Sequence, residues 1–157
     1  MLRKILFVAL LASSTGALAA PSAVFLRQAI MGNFSEVTLG RMIQNRGGTA
    51  QVRQFGAMLV RDHSNGLAQA QRIAARLRLR ILPSLTSEAR AETGRLRHLG
   101  GRAFDLEVRR FMIQDHRNDI REFKAQAQSG DRATAGYAAA TVPVMRRHLL
   151  AAQAIRG

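Results

Sequence analysis

The segment Ile81-Leu82-Pro83-Ser84-Leu85-Thr86-Ser87-Glu88, carried on to Gly100-Gly101, decides how this chain folds. It separates two long stretches of helical periodicity and is far longer than a tight turn. Ile81-Leu82-Pro83-Ser84 breaks the pattern, because proline disfavours helical backbone at the residue before it. Thr86, with Glu88 behind it, opens a short helical segment that Gly100-Gly101 closes. The chain therefore carries a connector of about twenty residues in its middle.

Outward from that connector, each half reads as two helices joined by a short turn. Upstream, apolar residues from Ser22 to Arg46 recur at three- and four-residue steps (Val24, Phe25, Ala29, Ile30, Phe34, Val37, Ile43), and Gly47-Gly48 ends the run. Thr49 caps a second helix, whose stripe of Val52, Gly56, Leu59, His63, Leu67, Ala70, Ala74 and Leu77 ends among Arg72, Arg76, Arg78 and Arg80. Downstream, a third helix runs from about Arg102 to Gln128, Ser129-Gly130-Asp131 turns the chain, and a fourth runs from about Arg132 to Ile155. Pro143 sits inside the last helix and predicts a kink near Ala139 rather than a break. No stretch alternates with a period of two, so strands are not expected. Connections that are short, long and short imply an all-α, ferritin-like four-helix bundle with a short extra helix in the connector; helices two and three are then parallel. An up-down-up-down bundle is the alternative.

The start of the chain reads as an address. Arg3 and Lys4 precede the apolar run Ile5 to Leu11, and Ala17-Leu18-Ala19 supplies small residues where a signal peptidase cuts. Residues 1–19 are thus expected to be a signal peptide and 20–157 a single domain, placed in the periplasm or secreted. The apolar run is short for an uncleaved anchor. Cysteine is absent, which rules out disulfide scaffolds, thiolate metal sites and cysteine nucleophiles. Cleavage removes Arg3 and Lys4 and leaves 22 basic residues against 10 acidic ones, a formal charge of +12. Lys4 and Lys124 are the only lysines. Arginine grips phosphate and carboxylate in bidentate fashion, so anionic envelope components, lipid headgroups or polysaccharide, are the expected electrostatic partners. A solvated basic face with no ligand is the plainer reading. Nucleic acid is not an expected partner, because export and the lack of interleaved aromatics both argue against it.

Two segments echo one another. Val60-Arg61-Asp62-His63-Ser64-Asn65-Gly66-Leu67 on helix two and Ile113-Gln114-Asp115-His116-Arg117-Asn118-Asp119-Ile120 on helix three share the order apolar, any, Asp, His, any, Asn, any, apolar. In parallel helices the two histidines sit at one depth. Glu36 on helix one and His148 on helix four fall at a second level, about 6 Å away at about 1.5 Å of rise per residue. Glu36, His63, His116 and His148 form a candidate site for a single transition-metal ion, one residue per helix, since carboxylate with imidazole suits zinc, copper, iron or nickel. Asp62 and Asp115 are placed to orient imidazoles from behind. Neighbours on a helix diverge by about 100°, so each Asp is expected to serve a histidine of another helix or an arginine. Any one histidine alone reads more readily as a core residue hydrogen-bonded to a carboxylate or carbonyl, and it is the set with Glu36 that brings the metal reading level with it. His98, beside Gly100-Gly101, is expected to be exposed and idle.

The chain resembles a ferritin-like bacterial family known as domain of unknown function 4142, whose members are typically exported. The likeness rests on Ser35-Glu36-Val37-Thr38-Leu39-Gly40, Val52-x-x-Phe55-Gly56, Met58-x-x-x-Asp62-His63-Ser64, Phe104-Asp105 at the start of helix three, Met112-x-x-Asp115-His116, and Pro143 with His148. It spans about Ala23 to Ile155 and implies a ferritin-like bundle in the bacterial envelope, with no established activity. Di-iron bundles use Glu-x-x-His pairs. Here Val60, Ile113 and Met145 stand three residues before the histidines, which argues against a di-iron oxidase. No nucleophile triad, phosphate-cradling loop or zinc-protease helix is present. The expected function is therefore a bundle of unknown activity that binds one metal ion, with a non-catalytic stress or scaffolding protein as the alternative.

Overall fold

The computed structural model describes residues 19–129 and 131–156, so the expected signal peptide lies almost wholly outside the described residues. Among the described residues there are five helices and no strand: α1 (Ala19–Arg46), α2 (Ala50–Arg76), α3 (Ser87–Leu96), α4 (Gly101–Ala127) and α5 (Ala135–Gln153). The short α3 sits in the connector, as the Thr86 signal predicts; the Thr86 hydroxyl accepts from the Ala89 amide at 3.1 Å. Thr49 caps α2 in the same way, accepting from the Val52 amide at 3.2 Å.

Two helix ends depart from expectation. The second helix stops at Arg76, so Arg78 and Arg80 belong to the connector. Arg78 adopts φ 56, and the Leu79 amide reaches back to the Ala74 carbonyl at 2.9 Å while that of Arg78 reaches Ala75 at 3.0 Å. This is a Schellman stop with arginine in the place usually taken by glycine, which leaves no signal in the sequence. The last helix starts at Ala135 instead of Arg132 because Asp131 builds a turn first. Its carboxylate accepts from the Ala133 amide at 2.9 Å and from the Thr134 hydroxyl at 2.7 Å. The helix then runs unbroken through Pro143.

Hydrogen bonds between distant segments fix the topology. α1 packs along α2 and α4 along α5, each pair joined by a short turn. At one end, Asp105 near the start of α4 accepts from the amides of Gly48 at 2.8 Å and Thr49 at 3.1 Å, immediately before α2. The beginnings of α2 and α4 therefore share an end, and the two helices are parallel, as in the first of the two expected topologies. Gln51 donates to the Ala154 carbonyl at that end, while at the other end the Ser22 hydroxyl donates to the Asp131 carboxylate. Arg46 ties the connector down by donating to the Leu96 carbonyl at 3.0 Å and the Leu99 carbonyl at 2.7 Å.

The core is divided. One apolar cluster gathers Phe25, Leu26, Ile30, Ile120, Phe123, Tyr137 and Met145. Phe25 stands edge-on to Phe123 at 5.0 Å and to Tyr137 at 6.2 Å. The other cluster gathers Leu39, Ile43, Leu59, Phe104, Val108, Met112 and Ala152. Along each of the four long helices a buried polar residue marks the boundary between clusters: Glu36, His63, His116 and His148. Burial of a large apolar side chain contributes about 1.5–3 kcal/mol, so two dry clusters can hold a polar layer clamped between them. Val24, read as inward, is 60% exposed and contributes nothing to either cluster.

Candidate metal centre

The three imidazoles of the polar layer meet. Ring centroids are 5.8 Å apart for His63 and His116, 5.0 Å for His63 and His148, and 5.3 Å for His116 and His148. The two levels inferred from helical rise thus close into direct contact. One nitrogen from each ring lies within 4.8 Å of the others. His116 Nε2 is 3.2 Å from His148 Nδ1, and Glu36 Oε2 is 3.9 Å from His63 Nε2. All four residues are buried. His98 lies apart and exposed.

Each ring turns one nitrogen outward to a polar group and the other inward. His63 Nδ1 lies 3.1 Å from Asn33 Oδ1. The Asn33 amide nitrogen donates to the Ala29 carbonyl at 2.6 Å and the Tyr137 hydroxyl at 3.0 Å, so the amide oxygen must face the ring and His63 Nδ1–H donates to it. His63 Nε2 is then a bare lone pair facing Glu36. His148 Nε2–H donates to Asp62 Oδ2 at 3.0 Å, which leaves His148 Nδ1 facing inward as an acceptor, with His116 Nε2 hydrogen-bonded to it at 3.2 Å. His116 Nδ1 stands 3.4 Å from Asp115 Oδ2, with Nε2 inward toward His148. Asp62 thus serves a histidine of another helix and pairs with Arg61 at 2.8 Å. Asp115, expected to do likewise, stands beside the ring that follows it in the chain.

Asn33 was not among the residues read from the sequence. Its position three residues before Glu36, and so on the same face of α1, was the available signal. Gly66 makes room for it, since a Cβ there would lie 2.4 Å from Asn33 Oδ1.

The polar layer is not fully satisfied. Glu36 Oε2, His63 Nε2, Asp115 Oδ2 and His116 Nδ1 are buried without a hydrogen-bond partner. Buried polar atoms are normally paired; protons or a cation would satisfy these four. Burial first, then the neighbouring Asp115 and Asp119 carboxylates, push the Glu36 carboxyl well above the usual range. Burial first, then His116 and His148, hold His63 well below the ordinary imidazole value. Burial likewise brings His148 down to about 4, against the opposing hydrogen bond to Asp62. Asp62 falls below the usual carboxylate value: burial works upward, and the hydrogen bonds from Arg61 and His148 outweigh it. The layer thus holds two imidazoles, His63 and His148, that resist protonation, and a Glu36 carboxyl that favours its proton and can exchange it for a cation.

No curated protein and no solved structure matches the chain. A family model does match, over residues 8–155, which is nearly the whole sequence. The chain belongs to that family, described as a domain of unknown function (DUF4142).

Proposed function

We propose that Glu36, His63, His116 and His148 hold one transition-metal ion at the centre of the bundle, and that the protein is an exported metal-binding bundle matured by cleavage after Ala19. The observation that carries this reading is the convergence of one nitrogen per imidazole within 4.8 Å, with each opposite nitrogen turned to Asn33, Asp115 or Asp62. Metal-bound histidines characteristically have such an outer partner, which fixes the tautomer and aims the ring. Two ligand atoms about 2.1 Å from a common tetrahedral ion stand roughly 3.4 Å apart. The pairs at 3.2 Å and 3.9 Å bracket that separation. A metal also accounts for the orphans. It takes the lone pairs of His63 Nε2 and Glu36 Oε2, and it settles His116 as the Nδ1–H tautomer, whose proton then faces Asp115.

The test is loading with Co2+ or Zn2+, removal of excess ion, and metal analysis of the native protein beside Glu36→Gln and His63→Gln variants. One equivalent in the native protein and a sharp loss in the variants is the expected result. A native protein that retains no stoichiometric metal overturns the reading.

A second reading concerns the surface. Arg72, Arg76, Arg78 and Arg80 are all exposed at one end of the bundle, beside Leu77 and an 83% exposed Leu82. That composition suits anionic lipid headgroups, with the leucine dipping into the interface. Retention on anionic vesicles that falls as salt rises supports it, and retention indifferent to salt overturns it.

A further inference from the structure

Five of the ten acidic residues in a chain of formal charge +14 line a single cleft: Glu36, Glu88, Asp115, Asp119 and Glu122. Among the described residues no lysine or arginine lines it, and its volume is about 430 Å³. Arginine is available everywhere else on the surface, so this sorting is the opposite of a mixed solvated face. The mouth is formed by exposed Glu88 and Glu122, and the floor is Glu36, which is 3% exposed and carries an unpartnered carboxylate oxygen. Behind the cleft lies a void of about 30 Å³, lined in part by Gln28, Gly32, Asp119 and Glu122, which also line the cleft, and by His63, whose Nε2 has no partner. Asp119 and Glu122 therefore face both solvent-side space and the imidazole layer. The amino end of α3 forms part of the cleft wall, and there the Thr86 hydroxyl takes up the Ala89 amide.

We propose that this cleft is the loading route of the central site for divalent metal cations, with Glu122 and Asp119 taking up the hydrated ion before Glu36 and His63 receive it. The proposal rests on the metal-binding reading above. A cation approaching a strongly positive protein is repelled at long range, and a local concentration of carboxylates reverses the field where it matters. Asp119, crowded by Asp115 and Glu122, stands one helical turn beyond Asp115 on α4, which gives the ion successive oxygen partners on its way in.

The experiment follows the rate at which Co2+ absorption develops on mixing with metal-free protein, for the native chain, Asp119→Asn, Glu122→Gln and Glu122→Lys. Glu122 is exposed, so its substitution leaves the fold intact even if Asp119→Asn does not. Loading is expected to slow about threefold in Glu122→Gln and tenfold or more in Asp119→Asn and Glu122→Lys. Release should slow in parallel, because a route lowers the barrier in both directions, whereas loss of a ligand speeds release. Glu107→Gln, on the α3 side of α4, is the control with unaltered rates. The native protein should also load more slowly as salt is raised, since salt screens the carboxylates; the net positive charge alone demands acceleration. Loading that accelerates with salt, or that ignores Glu122→Lys, overturns the route while leaving the central site standing. Absence of any bound metal in the native protein overturns the central site itself.

Discussion

On one flank of the imidazole layer Asp62 takes hydrogen bonds from His148 at 3.0 Å and Arg61 at 2.8 Å, and its carboxylate is held below the usual range. On the other flank Glu36, Asp115 and Asp119 stand together, and among the described residues no basic side chain lines the cleft beside them; Glu36 and Asp119 are pushed well above that range and oxygens of Glu36 and Asp115 lack partners. The residue types are the same. On the first flank both oxygens of Asp62 are answered by protein donors. The second is complete only with protons or a cation, and this difference separates a supporting carboxylate from one available for binding.

The largest expected effect tests the incomplete flank. Zn2+ at about a hundred times its dissociation constant should stabilise the native protein by about 2.7 kcal/mol, which at this chain length raises Tm by roughly 5–10 °C. Calorimetry of native protein beside a Glu36→Gln/His63→Gln variant reads this directly, and the variant should show no rise. Next, in metal-free protein, Asp62→Ala should cost about 1–3 kcal/mol, because a buried His148 N–H loses its acceptor. Asp115→Asn should cost less than about 0.5 kcal/mol or stabilise, because it relieves carboxylate crowding. Denaturant midpoints that move equally for both would erase the distinction between flanks.

Smaller effects sharpen it further. Gly66→Ala drives a methyl toward Asn33 Oδ1 and should weaken metal binding about tenfold by misaiming His63, a magnitude typical of lost outer partners. Competition against a chelator dye measures it. The smallest effect is pH-linked. His148 is neutral in the folded state down to about 4, while in the unfolded chain it charges near 6.5. Between those values the unfolded chain binds the extra proton, so this residue's contribution to stability falls as pH falls, by under about 1 kcal/mol between pH 7 and 6. Glu36 and Asp119 act with the opposite sign, holding protons in the fold that the unfolded chain has lost. Nitrogen-15 spectra of the His148 ring should keep their neutral signature at pH 5, and a charged signature there would contradict its burial.

Much of the bundle could be read from the chain because its signals are local. Gly47-Gly48, the caps at Thr49 and Thr86, and the apolar stripes each report on a few consecutive residues. The stop at Arg76 could not be read, since an arginine took the left-handed position, and neither could the Asp131 turn, whose bonds form within the turn itself. The site divides in the same manner. Glu36, His63, His116 and His148 stood out as polar residues on apolar stripes, and they meet. Asp62 meets a histidine of another helix and an arginine, as expected for it, and Asp115 does not, because two identical Asp-His pairs acquire different partners only when the helices pack. Asn33 escaped notice because an asparagine on an apolar stripe resembles any surface residue until Ala29 and Tyr137 orient its amide.

Gly40 and Gly56 bring the backbones of α1 and α2 so close that a Cβ on Gly56 would lie 2.4 Å from the Gln44 nitrogen and 2.7 Å from the Gly40 carbonyl oxygen. Those two rods are consequently welded into a plate bearing Glu36 and His63, while His116 and His148 ride on the opposing pair. Any separation of one hairpin from the other would then divide the four proposed ligands two and two.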